Sequence, residues 1–206
     1  MKPNPFVWFP HLKFIFWTIA VQYPIKPNEV TIKNLQQQIR TIPDFPIEGI
    51  MFRDITPLLN SGEYLNKVTE MFVQICNHND WKPDYIVGPE ARGFIFGPML
   101  AAKLGIGFIP VRKPGKLPSS TIKIEYSLEY GTNVLEMHDD AISIGSKLII
   151  IDDLLATGGT VDACVKLCQQ QGGEVIGTLF VIELEGLGAR DKLHPIPCES
   201  LLLYSA

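Results

Sequence analysis

The run Lys147-Leu-Ile-Ile-Ile-Asp152 constrains the fold of this chain more than any other feature. Its aliphatic residues follow one another without polar alternation, so both faces of the segment must be covered by other parts of the chain. Such a run predicts a central strand of a parallel sheet. The surrounding segments supply the covering layers. Ser61 is placed to cap a helix that continues through Asn77, with Tyr64, Leu65, Val68, Phe72 and Ile75 inward. Segments 94–104 and 159–171 read as two more helices, and 85–87, 107–111, 175–184 and 201–204 as further strands. Strands alternating with helices imply right-handed crossovers and an α/β fold with a mainly parallel central sheet flanked by helices.

Three segments depart from that rhythm. Residues 30–40 carry Ile32, Leu35 and Ile39 at helical spacing and predict a helix ending before Pro43. Residues 45–59 are apolar yet rich in Pro and Gly, which predicts an irregular loop packed over something. Residues 121–126 and 133–137 predict a hairpin-like excursion, preceded by a basic loop over 112–120.

The first 28 residues conform to none of this. The apolar stretch 14–21 follows Lys2, His11 and Lys13, as in a secretory leader, but no small-x-small cleavage site comes after it. A spanning helix needs about 20 apolar residues, and Pro10, His11 and Lys13 interrupt every such window. The expectation is an extension, residues 1–28, outside a functional domain of residues 29–206, with no membrane association.

Composition narrows the function. At 206 residues and 46% hydrophobic, the chain can bury a full core without a disulfide or metal staple. With 18 Lys+Arg against 22 Asp+Glu, the net charge of −4 argues against a general nucleic-acid binder, though not against a small anionic ligand. Cys164 and Cys168 share a helix face, but no second Cys/His pair lies at zinc spacing, and the four cysteines fit a reducing compartment. His78, His138 and His194 have no acid–base partner at a motif position and read as structural.

The chemistry is concentrated where strands end. In Ile149-Ile-Ile-Asp-Asp-Leu-Leu-Ala-Thr-Gly-Gly-Thr160, two carboxylates leave the strand and a glycine turn opens the next helix. Glycines let the backbone approach an anion, and the free amides of a helix N-terminus point at it. Thr157 and Thr160 add hydroxyl donors. The string is not a P-loop, which would require Gly-x4-Gly-Lys-Ser/Thr. Adjacent acids beside an anion cradle make sense if they face vicinal hydroxyls, or a magnesium ion, on the same molecule. A sugar phosphate meets both demands.

This string resembles the phosphoribosyl pyrophosphate signature of the type I phosphoribosyltransferase family. Phe52-Arg-Asp-Ile-Thr-Pro57, Gly88-Pro-Glu-Ala-Arg-Gly-Phe-Ile-Phe-Gly97, Arg112-Lys-Pro-Gly-Lys-Leu-Pro118 and Tyr126-Ser-Leu-Glu-Tyr-Gly131 are similar to motifs of its adenine-specific members. The resemblance runs from about residue 35 to 204, and Glu90 stands at a position that varies within the family. It implies the type I fold, with a small hood over the base and a flexible lid hairpin. It also implies transfer of a phosphoribosyl group to N9 of adenine in purine salvage, with Mg2+ as cofactor, in a cytoplasmic homodimer.

Residue by residue, the resemblance implies that Asp152 and Asp153 hold the ribose hydroxyls and lie near the metal. Ala156, Thr157, Gly158, Gly159 and Thr160 would hold the 5′-phosphate. Arg92 would reach the pyrophosphate, its planar fork suiting phosphate oxygens, and Arg112, Lys113 and Lys116 would add cations from the closing loop. Phe52 and Leu154 would sandwich adenine while backbone groups near Met51 and Arg53 read its edge. Glu129 would accept a purine proton or stabilise the cationic sugar. Two other readings stay open: a phosphoribosyltransferase for another purine base, and a regulatory protein that binds phosphoribosyl pyrophosphate and DNA.

Overall fold

The computed structural model describes residues 29–127 and 132–206, with side chains from 31 to 126 and from 132 onward. The expectations for residues 1–28 and for Glu129 lie outside the described residues.

In chain order the elements are α1 (Glu29–Gln36), β1 (Arg40–Ile42), β2 (Phe52–Asp54), α2 (Thr56–Leu59), α3 (Gly62–His78), β3 (Tyr85–Pro89), α4 (Gly93–Leu104), β4 (Gly107–Val111), β5 (Thr121–Ser127), β6 (Thr132–His138), β7 (Lys147–Leu155), α5 (Gly159–Gln170), β8 (Glu174–Glu185), α6 (Ala189–Leu193) and β9 (Cys198–Ser205). The central sheet runs β4-β3-β7-β8-β9 and its neighbours pair in parallel. The aliphatic run therefore lies mid-sheet, as its composition requires.

Burial explains why that run tolerates no polar residue. Ile149 and Ile151 enter one core cluster with Phe72 of α3 and Phe96 and Leu100 of α4. Leu148 and Ile150 enter the other with Val161, Cys164 and Leu167 of α5. All four strand residues are fully buried. Each contributes about 1.5–3 kcal/mol of hydrophobic stabilisation, and a polar substitution would meet apolar atoms on either face.

Three expectations need correction. The first helix stops at Gln36, and Arg40–Ile42 instead pairs antiparallel with Phe52–Asp54, closed by an Arg40–Asp54 ion pair at 3.1 Å. Ile39 is buried, as the helical pattern required, but beyond the helix. The segment 45–59 is not wholly irregular, since it holds β2 and the single turn α2, where Pro57 occupies an early position that needs no amide hydrogen. Finally, α6 goes unmarked in the sequence, and β9 begins at Cys198 rather than at Leu201.

Gly177 of β8 shows how closely the layers meet. A β-carbon there would stand 2.5–2.7 Å from the Trp81 ring. Gly177→Ala is expected to cost about 1–3 kcal/mol through overpacking. At about 2–4 °C per kcal/mol, thermal unfolding should show a melting temperature lower by several degrees.

Candidate active site

The carboxyl ends of β3, β4 and β7 meet on one edge of the sheet, where open parallel sheets bind ligands. β7 continues through both aspartates to Leu155, three residues further than the sequence predicts. Consecutive strand residues leave on opposite faces, and the two acids have different surroundings. Asp152 is half-buried, and its Oδ1 accepts a hydrogen bond of 2.9 Å from the Asp153 amide. Asp153 is buried, and its Oδ2 lies 2.9 Å from Arg92 Nε. Burial raises both carboxyl pKa values; the Asp153 charge adds to the rise at Asp152, while Arg92 opposes it at Asp153.

Beyond Leu155 the chain turns through Ala156, Thr157 and Gly158 into α5. Gly158 sits at φ +76°, the left-handed region that favours glycine. The Asp162 amide bonds the Gly158 carbonyl at 2.9 Å, so the preceding amides have no acceptor within the helix and are free for an anion. Arg92 and residues 152–161 line a cavity of about 190 Å³. Among the described residues no lysine lines it, and Arg92 is its one cation. The Tyr126 hydroxyl of β5 lies 3.4 Å from Thr160 Oγ1, bringing the hairpin strand to the same turn.

The basic loop is tied down at both ends. Glu90, whose side chain is 7% exposed, accepts hydrogen bonds from Arg112 Nε at 2.8 Å and Lys116 Nζ at 3.0 Å. Burial alone would raise the Glu90 pKa, but the bonds from Lys116 and Arg112 outweigh it and hold the carboxyl below its ordinary value. Arg112 also exchanges backbone hydrogen bonds with Glu136, at 2.9 and 2.7 Å. The buried Glu136 carboxylate accepts from the Gly115 amide at 3.0 Å and pairs with Lys123 at 2.7 Å. Lys123 accordingly lowers the Glu136 pKa. Lys113 is exposed and forms no ion pair with a described residue. The sequence does not mark Glu90 or Glu136 as anchors; its one signal is an acid two residues before Arg92 at a strand end.

The hood is the β1–β2 pair and its connection. Phe52 packs edge-on to Phe45, with ring centroids 5.0 Å apart. Arg53 lays its guanidinium 4.3 Å from the Tyr204 ring centroid and donates to Thr41 Oγ1 at 2.6 Å, which fastens the hood to β9. Met51 is half-exposed, and Leu154 lines the cavity beside the aspartates. The structure thus brings Arg92, Asp152, Asp153, Leu154 and the 156–160 turn together. It places Arg112 and Lys116 on Glu90 and leaves Lys113 in solvent.

A larger hollow, about 500 Å³, lies between α5, the start of β8 and the segment after α6. It contains no glycine turn at a helix N-terminus and no carboxylate pair, so size alone does not select it.

The phosphoribosyl transferase domain family matches residues 55–197. Over 171 residues the chain is 51% identical to an adenine phosphoribosyltransferase of Picosynechococcus sp., covering 83% of this chain and 99% of the relative. A Clostridium botulinum adenine phosphoribosyltransferase is 52% identical over 84% of this chain and 99% of its own length. Among solved structures, adenine phosphoribosyltransferase from Thermoanaerobacter pseudethanolicus aligns with TM-score 0.81 at 48% identity, covering 84% of this chain and all of that one. The Saccharomyces cerevisiae enzyme, complexed with an imino-altritol bisphosphate and adenine, aligns with TM-score 0.79 at 41% identity over 83% and 98% of the two chains.

Proposed function

The chain belongs to the adenine phosphoribosyltransferase family, and from that premise we propose that it transfers the 5-phosphoribosyl group of phosphoribosyl pyrophosphate to N9 of adenine. The C1′–oxygen bond to pyrophosphate breaks, the C1′–N9 bond forms, and N9 loses its proton, giving AMP and pyrophosphate. One observation carries the reading: a backbone turn with unpaired amides stands beside two carboxylates and an arginine in one small cavity.

The 5′-phosphate sits on the amides and hydroxyls of Ala156, Thr157, Gly158, Gly159 and Thr160. Asp152 and Asp153 take the ribose hydroxyls. Arg92, held by Asp153 in the free protein, turns its remaining donors to the pyrophosphate. Arg112, Lys113 and Lys116 complete the cationic surround. Phe52 and Leu154 enclose the adenine plane, and backbone groups near Met51 and Arg53 meet its edge. In the transition state positive charge grows on the sugar and negative charge on the leaving group, so fixed cations and exclusion of water supply the catalysis. The 112–131 excursion is the lid, and Glu129 is its catalytic residue.

Magnesium suits this donor set. The described residues hold no group of three or more His, Cys, Asp or Glu side chains placed to bind a metal. Two hard carboxylates at one strand end match the way Mg2+ is held by one or two acids together with substrate oxygens. Asp152 and Asp153 would hold it, and the ion would neutralise charge on the departing pyrophosphate.

The functional unit is residues 29–206, in keeping with relatives covered to 99% of their length by about 83% of this chain. The protein works in the cytoplasm, where its four buried free thiols persist. No helix among the described residues is long and apolar enough to cross a membrane. It acts as a homodimer; the exposed hood residues Phe45, Ile47, Ile50 and Met51 form the kind of apolar surface that a partner covers. Small molecules, not nucleic acid, are its substrates.

Incubating phosphoribosyl pyrophosphate with adenine or with hypoxanthine, with and without Mg2+, tests the reading. Both the full chain and one starting at residue 30 should give AMP from adenine in a Mg2+-dependent reaction. Equal turnover of hypoxanthine, or no AMP, would overturn it.

A further inference from the structure

The phosphate turn is backed by an element that lines no part of the cavity. A β-carbon at Gly158 would stand 3.3 Å from both Cα and Cβ of Ala189. Ala189, buried, opens α6, a helix of five residues. A single turn cannot hold itself in water, so its position depends on what anchors it.

The anchor is the next residue. Arg190 donates from Nε and Nη2 to the two oxygens of Glu183, each at 2.7 Å, and from Nη1 to the Cys198 carbonyl at 2.8 Å. Glu183 is buried in β8 and accepts a third bond, 2.6 Å, from Ser200 of β9. The planar fork of Arg190 thus spans two sheet strands and fixes α6 against the turn. Lysine carries its three donors on one nitrogen and cannot reproduce this planar fork. The buried Glu183 carboxylate, deprived of Arg190, would be left uncompensated.

We propose that Arg190 is a positioning residue for substrate binding: clamped on Glu183 and the Cys198 carbonyl, it holds Ala189 behind Gly158 and so sets the amides of the phosphate turn. The inference rests on the proposed reaction for its kinetic readout. It makes Arg190 a determinant of phosphoribosyl pyrophosphate affinity although the side chain lines no part of the cavity.

Arg190→Met, Arg190→Lys and Ser200→Ala, compared with the wild-type chain, test this. A displacement of about 1 Å in a positioning element can cost up to about 100-fold; for Arg190→Met we expect KM for phosphoribosyl pyrophosphate to rise about tenfold. KM for adenine and kcat should hardly change, and Arg190→Lys should fall between the two. Hydrogen–deuterium exchange of a peptide spanning 154–162 should quicken in Arg190→Met. Loss of packing alone would move both KM values or neither. An unchanged KM for phosphoribosyl pyrophosphate, or unchanged exchange, in folded Arg190→Met overturns the proposal. If that variant does not fold, the same results in both Arg190→Lys and Ser200→Ala overturn it. A wild-type chain making no AMP would refute the proposed reaction, while the exchange comparison would still judge the clamp.

Discussion

Glu129→Gln is expected to lower kcat by about 10² to 10⁴, the usual contribution of a general base, with little change in either KM. Glu129 lies outside the described residues, and its neighbours on either strand are described. β5 and β6 pair through Tyr126↔Asn133 and Ser127↔Thr132, and residues 128–131 join them. The Tyr126 hydroxyl already stands 3.4 Å from Thr160 at the phosphate turn. Glutamine preserves size and one acceptor oxygen but can neither take a proton nor offset a cationic sugar. Steady-state kinetics with each substrate varied in turn provide the measurement. A kcat equal to the wild type would remove Glu129 from the chemistry and leave the hairpin a cover only.

What the sequence disclosed was local. The β7 run, the glycine turn and the α3, α4 and α5 helices are each written in consecutive residues, so periodicity and composition found them. The hood sheet is not. β1 and β2 are three residues each, and their pairing Arg40↔Asp54 joins segments that alone carry no strand pattern. α6 is shorter than the window over which helical periodicity can be read. In the site, a carboxylate read in sequence looks like surface charge. Glu90 becomes an anchor only because Arg112 and Lys116, 22 and 26 residues away, fold onto it. Arg92 shows the same limit: its motif pointed to an anion outside the chain, and in the free protein its Nε is directed to Asp153, beside it only in the folded sheet. Residue types were legible; their pairings required the fold.

Gly158→Ala should lower kcat/KM for phosphoribosyl pyrophosphate by about 10² to 10³ while leaving the KM for adenine nearly intact. A non-glycine residue in the left-handed region costs roughly 1–2 kcal/mol, and Gly158 sits there at φ +76°. The added β-carbon also meets Ala189 at 3.3 Å, and Ala189 cannot retreat while Arg190 is fastened to Glu183. The easier relaxation is for the turn to rotate, which takes its amides off the anion. Hydrogen bonds to a charged group contribute about 1.5–3 kcal/mol each, and 1.4 kcal/mol is a factor of ten. Losing one or two accounts for the expected range. Global destabilisation would act differently, moving the melting temperature by about 2–4 °C per kcal/mol without separating the substrates. Calorimetric titration with phosphoribosyl pyrophosphate should therefore show weakened binding at a temperature where the variant is fully folded. Wild-type affinity in that titration would place the 5′-phosphate away from these amides, and the assignments of Asp152, Asp153 and Arg92, which depend on where the phosphate lies, would fall with it.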